Sequence, residues 1–241
     1  MPVRLQIGVD PRVAHGLAIH YKRDKHPIRW IILGLIIIVA LAAGWFGLQY
    51  FNTGNLPLGV TVSALQADPE VDESDVSDEQ MKSHAVKPDE PRYITIPKLS
   101  LGNVRVFGVD VDANNQLEAP KNISDAAWYT KSSRPGLGYG AILINAHNGG
   151  VSRDGAFANL GSLIKGDTIE VERGDGKLYT YKVVENQSMS LEEVNKTGMK
   201  MMMESAEEGK EGLNLITCDG NWVPKYKQFD RRIMLRAVQV L

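Results

Sequence analysis

The stretch LNLITC at residues 213–218 is a short apolar run that ends in the only cysteine of the 241-residue chain. Its length and bounding turn residues fit a strand rather than a helix. A run of the same kind, AILINA at 141–146, stops immediately before His147. Working outward, similar runs occur as YITIP at 93–97, VRVFGV at 104–109, DTIEV at 167–171, LYTYKVV at 178–184 and RRIMLRAVQVL at 231–241. Gly, Asn and Asp punctuate them in DANN at 112–115, RPGLGYG at 134–140 and ERGDGK at 172–177. Many short strands separated by turn signals indicate a sandwich or a barrel. KLYTYKV at 177–183 alternates in period two, as a strand with one wet face should. Helical signals are few. AFANLGSL at 156–163 reads as a short helix over Phe157 to Leu163, and Ser190 with Glu193 forms a capping-box pattern that opens a partly helical stretch to Ala206.

The hydrophobic content is unevenly distributed. WIILGLIIIVALAAGWFG at 30–47 holds 18 residues without a charge, and Leu48 to Phe51 extend it to the roughly 20 residues that span a bilayer as helix. Lys22, Arg23, Lys25 and Arg29 precede it, and no Lys or Arg follows until after Met81. That asymmetry predicts an N-terminus inside and the remainder outside, on a single-pass cell membrane protein. A cleaved signal peptide fits less well, given the long polar stretch before the run. The expected organisation is therefore a cytoplasmic tail at 1–29, a transmembrane helix at 30–51, an acidic flexible stalk at 52–90 and a folded domain at 91–241. The stalk expectation rests on seven acidic residues between Asp68 and Glu79, whose self-repulsion favours extension.

Net charge is −2, which does not mark a nucleic-acid partner. A lone cysteine excludes an internal disulfide. The tail histidines His15, His20 and His26 have no metal-ligand spacing, and the acidic run lacks the Asp-x-Asp-x-Asp-Gly calcium loop.

Within the folded domain the single cysteine and the single histidine both stand at strand ends. A thiolate favoured by nearby positive charge is a good nucleophile, and histidine can protonate a leaving amine. A guanidinium suits the oxyanion, and Arg231 and Arg232 open the last strand.

Five segments carry a family resemblance. LITCDG at 215–220 resembles the sortase nucleophile signature Thr-Leu-x-Thr-Cys, ending with Thr217 and Cys218. PGLGYGAILINAHNGG at 135–150 resembles the strand that ends in the family's histidine, and RYITIPKLSLGNVRVFGV at 92–109 resembles its opening strands. DGAFANLGSLIKGDTIEV at 154–171 and RRIMLRAVQV at 231–240 match in kind and order.

The resemblance implies a mainly β fold, a closed eight-stranded barrel with short helices. It also implies a cysteine transpeptidase that cleaves a Leu-Pro-x-Thr-Gly-like sorting signal. Cys218 would form the thioacyl enzyme and His147 would act as acid/base. Arg232 would be the third catalytic group, with Arg231 as the alternative, since a one-residue slip reverses the face. Thr217 and Ala146 would line the substrate site, Ala146 standing where the family usually has glycine. Partners would be secreted proteins with a C-terminal sorting signal, and a peptidoglycan-precursor or pilin amine as acceptor. No metal or cofactor is implied, and calcium modulation of the groove is left open. Met199, Met201, Met202 and Met203 suit either a hydrophobic peptide or the core of a short helix. A cysteine peptidase that transfers to water, and a non-catalytic membrane-anchored binding module, are the competing functions.

Overall fold

The computed structural model describes residues 27–56 and 71–240. The expected tail up to residue 26 and the stretch 57–70 lie outside the described residues. The chain divides into two units, residues 1–46 and 47–241. Helix α1, Pro27–Thr53, covers the apolar run, and Ile28–Thr53 is long and apolar enough to cross a membrane. At 1.5 Å per residue it reaches about 40 Å, more than a ~30 Å hydrocarbon core.

Eight strands close into a barrel. They are β1 (Pro91–Ile96), β2 (Leu101–Val109), β3 (Ala126–Tyr129), β4 (Ala141–Ala146), β5 (Thr168–Arg173), β6 (Leu178–Ser190), β7 (Gly212–Val223) and β8 (Gln228–Val240). Their order around the barrel is β1-β2-β3-β4-β7-β8-β6-β5, and β1 pairs with β5 to close it. The β2–β3 and β4–β7 pairs are parallel and the others antiparallel.

The continuous apolar character of AILINA and LNLITC now has a cause. Ile142, Ile144 and Ala146 on β4, with Leu213 and Leu215 on β7, face the barrel interior. Leu143 and Ile216 face outward and are covered by Val194 and Met202. Strands buried on both faces lose the alternation that a half-wet strand keeps. The covering segment, residues 191–202, is helical in α, π and α turns. It starts at the expected capping box, where the Ser190 hydroxyl accepts from Glu193 N and the Glu193 carboxylate accepts from Ser190 N. Among its methionines, Met202 is fully buried and Met199 packs on the same cluster, whereas Met203 is exposed. Residues 157–163 form turns and a single 3-10 turn, Leu160–Ser162, instead of the expected short helix.

β3 escaped the sequence analysis. AAWY carries two alanines, which have little strand preference, and only four residues. Its Trp128 is buried, and the indole N–H donates to Ser133 O at 3.0 Å.

The stalk expectation is corrected for residues 71–90, which lie on the barrel. Asp72 pairs with Asn122 in an isolated bridge, and helix α2, Asp78–Ser83, follows with its own capping box at Ser77. The acidic side chains find donors, which removes the reason for extension. The Glu73 carboxylate accepts from Val151 N and Ser152 N, and Arg153 Nη1 donates to Asp75 at 2.6 Å. His84 seals the seam, with Nε2 3.0 Å from Val106 O and its ring edge-on to Tyr93 and tilted against Phe107.

Burial, with Arg105 nearby, pushes the His84 imidazole below its ordinary value near 6.5. As pH falls below 6.5 the unfolded chain takes up this proton before the folded chain does. Stability should therefore be fully present above that pH and decline as pH drops towards the lower folded value. Denaturant midpoints between pH 5 and 7.5 should show this slope, and His84→Gln should flatten it. A wild-type midpoint that rises on acidification would contradict the assignment.

Candidate functional site

The parallel pairing of β4 with β7 sets Ile144 beside Leu215 and Asn145 beside Ile216. His147 comes two residues after Asn145 and Cys218 two residues after Ile216, so the parallel pair leads towards both. A side-chain bond pins this end of the pair, since the buried Thr217 hydroxyl donates to Ala146 O at 2.8 Å. On the other side, the antiparallel pairing of β7 with β8 sets Cys218 directly opposite Arg232. Directly paired residues share a face of the sheet. Cys218 is in phase with the outward Ile216, and Arg232 with the outward Met234. Cys218 and Arg232 thus form a row across β7 and β8 on the outer face of the barrel, and His147 follows directly on the last residue of β4.

Cys218 is half-buried. Arg232 Nη1 donates to the carbonyls of Phe229 and Arg231, at 2.9 and 2.7 Å. Arg231 opposes Asp219 on the other face, and its Nε and Nη2 donate to the hydroxyl and carbonyl of Ser188, both at 2.8 Å. The Ser188 hydroxyl also bonds to Asp219. The two neighbouring arginines therefore have different environments, and only Arg232 shares a face with the thiol.

His147 Nε2 lies 2.7 Å from Pro120 O. A carbonyl only accepts, so Nε2 carries the hydrogen and Nδ1 is the nitrogen left for proton exchange. Nothing in the sequence signals this contact, because Pro120 is 27 positions away on the connection between β2 and β3. The 15N shifts of His147 in the full chain should report the Nε2–H tautomer of the neutral ring. An Nδ1–H tautomer would show that the Pro120 carbonyl does not orient it.

Beyond His147 the loop 148–155 is clasped by Glu73 and closes on itself through the Gly149–Asp154 bridge. Gly155 is required there, because a Cβ would lie 2.2 Å from His147 O. A pocket of about 290 Å³ lies beside the thiol, lined by Cys218, Thr217, Asp219, Asn148, Asp154 and Ser162 among others.

A search among curated proteins finds no match. Solved structures with a similar chain course are sortase C of Streptococcus pneumoniae, a lid mutant of sortase A from Corynebacterium diphtheriae and sortase C-1 of Actinomyces oris. The first is 17% identical over 73% of this chain and 79% of its own, with a TM-score of 0.46. The second is 19% identical over 68% and 76%, with a TM-score of 0.48. The third is 19% identical over 73% and 87%, with a TM-score of 0.45. At these values they carry no argument about chemistry. The Sortase domain model, by contrast, matches residues 94–240, more than half of the chain and nearly all of the barrel. With that match over an eight-stranded closed barrel, the chain belongs to the sortase family.

Proposed function

We propose that this protein is a membrane-anchored cysteine transpeptidase whose nucleophile is Cys218. It cleaves a Leu-Pro-x-Thr-Gly-like sorting signal after the threonine and passes the acyl group to an amine on a peptidoglycan precursor or pilin. The observation that carries this reading is the Cys218–Arg232 register pair, with Thr217 tying the thiol's strand to Ala146, the residue before His147. The Arg232 cation on the same face favours the thiolate. That thiolate attacks the threonine carbonyl, and the Arg232 guanidinium stabilises the oxyanion. His147 gives a proton to the leaving glycine amine, so the C–N bond breaks and a thioester remains on Cys218. An incoming amine reverses these roles. Its nitrogen bonds to the carbonyl carbon, the sulfur leaves as thiolate, and neutral His147 takes the proton. The reaction calls for no metal or cofactor.

The Thr217 hydroxyl, bonded to the Ala146 carbonyl, ties the two strands together, and Thr217 lines the pocket beside the thiol. α1 anchors the protein with its N-terminus cytoplasmic and the barrel outside, in accord with the basic residues that precede the helix.

The test is incubation of the full chain, in detergent micelles, with Leu-Pro-x-Thr-Gly peptides and an amine. A mass adduct of the acyl fragment mapped to Cys218, with amine-dependent product, is expected. An adduct that yields only the free acid at every amine concentration would make the protein a hydrolase. No adduct across a varied peptide panel would sink the enzyme reading.

A further inference from the structure

His147 has two supports. The Pro120 carbonyl aims its ring, and its backbone runs on into the 148–155 loop. One short segment that precedes the barrel strands grips both. Asp72 bonds by its backbone to the stretch just after Pro120, with Asp72 N donating to Lys121 O at 3.1 Å and Ile123 N to Asp72 O at 2.9 Å. The next residue grips the loop: the Glu73 carboxylate accepts from Val151 N, from Ser152 N at 3.0 Å and from the Ser152 hydroxyl. We infer that Glu73 is a positioning residue for His147, clamping the loop that follows the histidine to the connection that orients its ring. The inference rests on the proposed acyl transfer, in which His147 protonates the leaving amine.

The residues on either side of Glu73 belong to the other support. Asn122 Nδ2 donates to Asp72 Oδ2 at 3.3 Å and to Ser74 O at 3.0 Å. Arg153 with Asp75 also joins the loop to the segment, but that Asp75 side chain is 92% exposed, and a surface ion pair contributes little. Glu73 is better placed, because three donors converge on one carboxylate and charge-assisted bonds are the stronger kind. The Ser152 hydroxyl, helped by the two amides, holds this carboxyl below its ordinary value, so it is ionised at neutral pH. Loop and segment are in close contact: a Cβ on Gly150 would meet the Glu73 carboxylate and the Ile123 side chain. Glu73 also lies before residues 94–240, so the clamp comes from outside the stretch that the Sortase domain model matches. A proton donor works only within hydrogen-bond reach of the leaving nitrogen, and a small misplacement from remote contacts is enough to slow it.

The test compares two substrates of the full chain in detergent micelles. A Leu-Pro-x-Thr-Gly peptide must lose an amine, which needs the proton from His147 as the C–N bond breaks. A Leu-Pro-x-Thr para-nitrophenyl ester loses a phenolate, which leaves with its electron pair and needs no proton. The readout is the ratio of the two rates of thioester formation on Cys218, for wild type, Glu73→Ala, Glu73→Gln and Gly150→Ala. Unfolded chains acylate with neither substrate, so the ratio cancels any loss of folded protein. It should fall about tenfold in Glu73→Ala, the scale of a modest misalignment of a reacting group. Gly150→Ala, which displaces the carboxylate from the loop side, should do the same, and Glu73→Gln, which keeps an accepting carbonyl, should lie between. A ratio unchanged from wild type in Glu73→Ala and Gly150→Ala, whatever the absolute rates, would overturn the clamp while leaving thioacyl chemistry intact. Absence of any Cys218 adduct from the peptide in wild type would instead remove the transpeptidase reading, and this inference with it.

Discussion

Arg232→Ala is expected to lower kcat/KM for peptide cleavage by about 10²–10³-fold, the usual cost of deleting one donor to a developing oxyanion. Arg231→Ala should cost only a few-fold. The two residues are neighbours of identical chemistry, so charge alone cannot separate them. Register separates them: Arg232 is opposite Cys218 and on its face, whereas Arg231 is opposite Asp219 and donates twice to Ser188. Arg232→Lys should recover part of the activity, since the cation that favours the thiolate is kept and the planar fork is lost. Kinetics on the four proteins, with thiolate reactivity towards an alkylating probe, would check this. If Arg231→Ala is the severe variant, the face assignment at this strand end is wrong.

Asp125→Ala should be the most destabilising single change outside the row. Arg105 on β2 and Asp125 before β3 form a bidentate pair, Nε to Oδ1 at 2.8 Å and Nη2 to Oδ2 at 2.7 Å, with side chains only 10% and 6% exposed. Removing the carboxylate leaves a buried guanidinium without compensation, which costs about 3–5 kcal/mol. In a domain of this size that is a fall in Tm on the order of 10 °C. Removing both charges, as in Arg105→Met with Asp125→Leu, should be much milder, because no unpaired charge is left behind. A calorimetric series on the two single variants and the double variant would decide; a double variant as unstable as the sum of the singles would refute the argument. The pair also closes one end of the β2–β3 connection that carries Pro120, so Asp125→Ala should disturb His147 orientation as well.

The strands that build the site were legible because their patterns are local. AILINA and LNLITC are short and apolar, the first stopping just before His147 and the second ending at Cys218, and the β8 run shows its two arginines in place. The capping box at Ser190 was legible for the same reason, being satisfied within four residues. β3 was not, because its strand state comes from pairing with β2 and β4 and from burial of Trp128, and its own residues have little preference.

The acidic stretch shows the opposite error. Composition predicts self-repulsion, and it cannot register that Val151, Ser152 and Arg153 supply donors to Glu73 and Asp75 from about 78 positions away. By itself the sequence determined the strand inventory apart from β3, the apolar span of α1, and the one cysteine and one histidine within residues 91–241. Tertiary structure alone decided which arginine shares the thiol's face and which nitrogen of His147 carries its hydrogen. Both depend on pairings between residues far apart in sequence, and a strand's own alternation is blind to a one-residue slip in its partner.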